Sequence, residues 1–143
     1  MADLESTGKG ATGYASAGEA LAAIDALEAE VVERLLRIEE SVFSARAFAA
    51  SLKRDHQGHR RERDRLRSRL GLGARATPKA TFDDPLDLEA LRAAQERLTY
   101  AHAEALPTLA DAAAVQVLAR HLVDLSRHLT LVGLWMEAEE RRG

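Results

Sequence analysis

The chain has no cysteine among its 143 residues, which removes disulfides, thiolate zinc sites and iron–sulfur clusters from the chemistry open to it. Aromatic residues make up only 4%, and Val, Ile and Thr are sparse beside Ala and Leu, a composition that favours helices over sheets. No apolar run approaches the roughly 18 to 20 residues of a membrane span. The opening stretch MADLESTGKGATGYASAGE lacks the apolar centre of a secretory signal, so the cytoplasm is the expected location. Nucleophile-elbow, phosphate-loop, dinucleotide-binding and zinc-protease motifs are all missing, and no organic cofactor is implied. GKGATG at 8–13 resembles a phosphate loop only in composition. A net charge of −3 gives no global attraction to nucleic acid or to an acidic partner.

What remains is enough for one domain with one core. Residues 1–15 are rich in Gly, Ser, Thr and Ala without periodicity, and read as a mobile tail. Ser16 and Glu19 have capping-box spacing and open helix A over about 17–40, with Leu21, Ile24, Val31, Leu35 and Ile38 at helical intervals. The Ser-bounded SVFS at 41–44 separates it from helix B, about 44–70, which Gly71 and Gly73 stop. A linker over 74–83 follows. Asp84-Pro85 then supplies an N-cap and a first-turn proline for helix C, about 85–106. Pro107 ends helix C, and Thr108 with Asp111 is expected to cap helix D, about 109–141. Two helical hairpins joined by one long connection make an all-α four-helix bundle spanning 16–141.

Rotating each helix by 100° per residue separates an apolar stripe from a polar face. Val42 joins the stripe of helix A, and Glu28 falls in its middle. On helix B, Phe48, Leu52, Leu66 and Leu70 flank a stripe centred on His59, with Asp55 and His56 on either side. Helix C carries Gln95 and His102 among Leu88, Leu91, Leu98 and Ala105, while Tyr100 points outward. Helix D carries His121 and His128 among Val117, Leu125, Val132 and Trp135, with Asp124 at the edge. Charged groups are rarely buried alone, so these polar residues are expected to satisfy one another, water or a metal. Asp55-x-x-x-His59 recurs as Asp124-x-x-x-His128, and two-fold related hairpins would bring both pairs to one level with Glu28 and Gln95. Phe43, Phe48 and Phe82 are core candidates, and Trp135 and Met136 are core or interface candidates. Gly58 marks either room for a neighbouring helix or a local distortion.

The segments SARAFAASLKRDHQGHRRERDRL and LPTLADAAAVQVLARHLVDLSRHLTLVGL resemble helices B and D of the ferritin-like superfamily, and the resemblance covers about 17–138. It implies a dinuclear iron or manganese site, built from one Glu on each of two helices and a Glu-x-x-His pair on each of the other two. Glu28, His59 and His128 occupy slots of that pattern. Gln95 replaces the helix C glutamate, His56 stands where a glutamate precedes His59, and Leu125 where one precedes His128. Asp55 and Asp124 lie one residue earlier. The bridging set is incomplete, so the expectation is a reduced site drawing on Glu28, Asp55, His56, His59, Gln95, Asp124 and His128. A homodimer is implied because such bundles often pair. Hemerythrin-like bundles also combine His with carboxylates but need more inward His, and helix A has none.

The competing expectation is a non-catalytic bundle for assembly or partner binding, whose core polar residues form a structural network. The basic run from Lys53 to Arg69 alternates with Glu62 and Asp64 and faces an acidic helix A. It therefore reads as a solvated, internally paired face rather than a nucleic-acid contact.

Overall fold

Capping fixes where the first helix begins. Ser16 is extended (φ −155°, ψ 163°), and its hydroxyl accepts the Glu19 N–H at 3.1 Å, which satisfies one of the free donors of the first turn. Helix α1 then runs Ala17–Ser41. The chain becomes extended at Val42, turns through a short 3-10 segment, Phe43–Ala45, and enters α2, Arg46–Arg69. Gly71 ends that hairpin at φ +72°, a conformation glycine adopts without steric cost, as the Leu72 N–H reaches back to the Arg67 carbonyl at 2.8 Å. Helix α3 spans Leu88–Ala105, a 3-10 turn covers Leu106–Thr108, and α4 spans Ala112–Arg142. The computed structural model describes residues 13–73, 79–80, 82–83 and 87–142; among these there is no strand.

Several expected boundaries move. Residues 1–12 of the expected tail, most of the 74–83 linker and the Asp84-Pro85 start lie outside the described residues. Asp87 is the N-cap of α3, accepting the Ala90 N–H at 2.7 Å. Thr108 does not cap α4: its hydroxyl bonds back to the Ala105 carbonyl at 2.6 Å, and Asp111 alone accepts from Ala113 N–H at 2.8 Å. Phe43 is not core but 82% exposed in the turn, and Val42 is also exposed. Phe82 lies under the guanidinium groups of Arg34 and Arg37, 4.0 and 4.4 Å from its ring centre. Tyr100 points outward as expected.

The described residues of the connection between hairpins lie along α1. Leu72 lies near Gly18 at the start of α1, Lys79 and Ala80 share a cavity with its middle, and Phe82 covers Arg34 and Arg37. Asp87 and Leu88 reach its far end beside Ile38 and Val42. The crossover therefore returns the chain to the top of the bundle before α3 begins. That makes α3 antiparallel to α1, and α4 antiparallel to α2.

Small residues and leucines set the helix spacing. Ala94, Ala101 and Ala105 are buried on α3 beside Leu91 and Leu98, and α1 contributes Ala20, Leu21, Ile24, Val31 and Leu35. Close backbone approach joins α1 to α2 and α3, and α3 to α4. Helices α2 and α4 approach less closely and meet through carboxylate–histidine pairs. At the Val42 end of the bundle, Phe48 meets Trp135 edge-on, with ring centres 4.7 Å apart.

The basic run on α2 pairs with the acidic α1 as expected, but part of it turns inward instead of facing solvent. Arg63 is 0% exposed and donates to both Asp25 and Glu28 on α1; Arg67, also buried, reaches Asp25. Removing one partner of such a pair strands a buried charge, at a cost of about 3 to 5 kcal/mol. Arg63→Ala is therefore expected to lower the melting temperature sharply, whereas exposed Arg61→Ala should change stability by no more than about 0.5 kcal/mol. Equal melting of the two variants would contradict this placement.

Gly58 opens no close helix contact: a Cβ there would meet only the tip of Arg61, at 4.0 Å. Gly58→Ala should therefore stabilise the helix by about 1 kcal/mol. A fall in the denaturant midpoint would show that the glycine is required.

Candidate metal centre

All five histidines of the chain are buried, on three helices: His56 and His59 on α2, His102 on α3, and His121 and His128 on α4. Each uses one ring nitrogen for a hydrogen bond, part-buried for His59, His121 and His128 and fully buried for His56 and His102. His59 Nε2 meets Asp124 at 2.8 Å, His121 Nε2 meets Glu62 at 2.8 Å, and His128 Nε2 meets Asp55 at 2.8 Å. His56 Nδ1 meets Glu28 at 3.0 Å, and His102 Nδ1 meets the Leu98 carbonyl at 2.9 Å.

Three of these bonds form a ladder between α2 and α4. Asp55, His59 and Glu62 descend one helix in steps of four and three residues; His128, Asp124 and His121 match those steps on the other. Acid and imidazole alternate on each side. The expected Asp55–His59 and Asp124–His128 pairs within each helix do not form. Each aspartate instead serves the histidine of the opposite helix, and both are partly exposed.

The second nitrogen of every histidine is buried without a partner among the described residues: Nε2 of His56 and His102, Nδ1 of His59, His121 and His128. Gln95 is buried, and neither amide atom has a partner among the described residues. The rings are close. Those of His59 and His121 stack at 4.0 Å between centres, His56 stands 5.2 Å from His128 and 5.9 Å from His59, and His102 stands 6.2 Å from His121. Ligand atoms of Glu28, His56 and His59 all lie within 4.8 Å of one another, and all three residues are buried.

Burial sets the protonation of these rings. It pushes His102 down to about 3 and, aided by the neighbouring His59, His121 down to about 4. It holds His128 at about 4 against the opposing bond from Asp55, and lowers His59 against its bond with Asp124. These four are therefore neutral at pH 7, and since the proton sits on the nitrogen that donates, the other nitrogen carries a lone pair. Burial would raise Glu28, but the His56 bond and the Arg63 charge prevail and bring it down to about 2. An ionised carboxylate only accepts, so His56 donates through Nδ1.

This pattern is what metal-binding imidazoles require. A ligating histidine usually donates its other N–H to a carboxylate or backbone carbonyl, which fixes the tautomer and aims the lone pair. The ferritin-type dinuclear set, by contrast, does not fit. Gln95 occupies one carboxylate slot, and Asp55 and Asp124 stand behind imidazoles, so only Glu28 remains of the carboxylates that set needs.

Comparison with protein-family models, curated proteins and solved structures finds no match. The site is therefore read from its own residues. Of the residues expected from sequence, Glu28, His56 and His59 come together, and His128 lies beside His56. Gln95 is buried on α3. The sequence reading expected the basic run to pair with the acidic first helix but missed that Arg63 and Asp25 are buried, and it placed Glu62 only as a charge within that run, not as the partner of His121. Arg63 sits four residues after His59 and seven after His56, on the same helical stripe, so its position was available from spacing. No helix among the described residues is long and apolar enough to cross a membrane.

The buried imidazoles tie stability to pH. Unfolded histidines titrate near 6.5, while His102, His121 and His128 in the fold stay neutral down to about 3 to 4. Their contribution is complete above about pH 6.5 and is lost as pH falls towards 4, by up to about 1.4 kcal/mol per pH unit for each. Glu28, held at about 2 against 4.5, adds a further loss below pH 4.5. Thermal melts from pH 8 to 4 should be flat above 7 and fall steeply below 6.5. A midpoint constant down to pH 5 would rule out neutral buried histidines.

Proposed function

We propose that this chain binds a divalent first-row transition metal in the core of its bundle, through Glu28, His56 and His59, with His128 in reach. The observation that carries the reading is the convergence of those three ligand atoms within 4.8 Å beside buried, unpartnered imidazole nitrogens. Unsatisfied buried nitrogens each cost about 1 to 3 kcal/mol, and an ion would satisfy several at once. Two imidazoles and one carboxylate are the donor set of non-haem iron sites. That favours iron over manganese, since manganese prefers oxygen donors. Such an ion, with coordination positions left open, supplies Lewis-acid or oxygen and peroxide chemistry. The protein's own part is to aim the rings: Asp124 orients His59, Asp55 orients His128, and Glu62 orients His121.

The ferritin-like resemblance supports the bundle half of this proposal, as does the lengthwise crossover, which ferritin-like bundles share. The surplus of imidazole over carboxylate moves the site towards the histidine-rich type that hemerythrin-like bundles represent. A cytoplasmic homodimer belongs to the same proposal. One observation favours the alternative, a structural network in a partner-binding bundle: Arg63 brings to Glu28 and Asp25 the positive charge that an ion would otherwise bring.

Titration of the metal-free protein with Fe(II), Mn(II) and Zn(II), without oxygen, separates the two. Binding should show about one ion per chain and a rise in melting temperature that grows with metal concentration, worth about 2.7 kcal/mol at one hundred times Kd. His56→Ala and His59→Ala should each remove most of that rise. No retained metal and no thermal shift with any of the three ions would leave the network reading standing.

A further inference from the structure

A cavity of about 350 Å³ opens between α1, α2 and the crossover, outside the histidine cluster but sharing Glu28 with it. This is the small end of the range for ligand pockets. Its charges divide into two kinds. Asp25 and Glu28 are engaged by the buried Arg63, and Glu33 by Arg37 at 3.0 Å. Arg60 on α2 and Lys79 on the crossover line the same cavity, are exposed, and have no carboxylate partner among the described residues. The charge left unbalanced in the cavity is therefore positive, and it comes from two separate elements. Ala29, Val32 and Ala80 supply apolar wall between the charged groups.

We propose that this cavity is a binding site for a small organic acid, its carboxylate held by Arg60 and Lys79 and its short carbon chain laid against Ala29, Val32 and Ala80. Arginine offers a planar fork that matches both carboxylate oxygens, and Lys79 adds a point charge. Acidic lining disfavours ligands of high negative charge, while the apolar wall favours a carbon body over a bare inorganic anion. The proposal concerns the cavity alone and stands whether or not the core holds a metal.

Calorimetric titration of the full chain in chelator-treated buffer with butyrate, butyramide and inorganic phosphate tests it. Butyrate should bind at least tenfold more tightly than its neutral isostere butyramide and than phosphate. Arg60→Gln and Lys79→Gln, both at exposed positions, should each weaken butyrate at least tenfold with the melting temperature unchanged. Butyrate binding no tighter than butyramide, phosphate binding as tightly as butyrate, or full affinity in both variants would each overturn the assignment. Because metal is absent throughout, failure here leaves the metal titration untouched.

Discussion

One buried guanidinium organises the α1–α2 half of the bundle. Arg63 has no exposed surface and donates to both Glu28 and Asp25; with the His56 bond it holds Glu28 well below the usual carboxylate range, and Arg67 shares Asp25 with it. Without it Glu28 would keep only its His56 bond to offset burial, at a cost of several kcal/mol. With it Glu28 stays ionised and still accepts from His56, which aims that ring. Helix pairing, acid ionisation and histidine orientation therefore share one origin. Arg63 also limits the chemistry, since any cation approaching Glu28 meets a positive charge already in place.

The other half is governed by the opposite condition. His102, His121 and His128 are kept uncharged by burial, with one ring nitrogen bonded to a carbonyl or a carboxylate and the other without a partner among the described residues. One wall of the core holds paired charges and the other holds neutral lone pairs. Glu28, His56 and His59 stand at the boundary between them. An ion there would take donor atoms from the histidine side and would have to share Glu28 with Arg63.

Much of this was legible in the sequence, and the failures have a common cause. Helical periodicity placed Leu21, Ile24, Glu28, Val31 and Leu35 on one buried face and His59, His121 and His128 on others, because a 100° step is local information. The all-α bundle followed from those stripes and from the Gly71 stop. The burial of Arg63 and Asp25 was missed because hydropathy gives a charged residue to solvent, and only the seating of its partner helix reverses that. Phe43 was misplaced because apolar character says nothing about a turn that faces outward. The partners of Asp55 and Asp124 depend on how far α4 slides along α2. No single helix encodes that offset.

The alternation of the ladder has a consequence for that offset. Sliding α4 by one turn would set Asp55 against Asp124 and His59 against His121, so that acid meets acid and imidazole meets imidazole. The correct alignment closes three hydrogen bonds, and the neighbouring one closes none and adds repulsion. A ladder of identical rungs would tolerate slippage; one whose rungs alternate in direction works as a key with a single seat. The same six side chains that aim the histidines thus fix the register of two helices whose backbones hardly touch, so the geometry of the site and the alignment of the bundle are set by one feature.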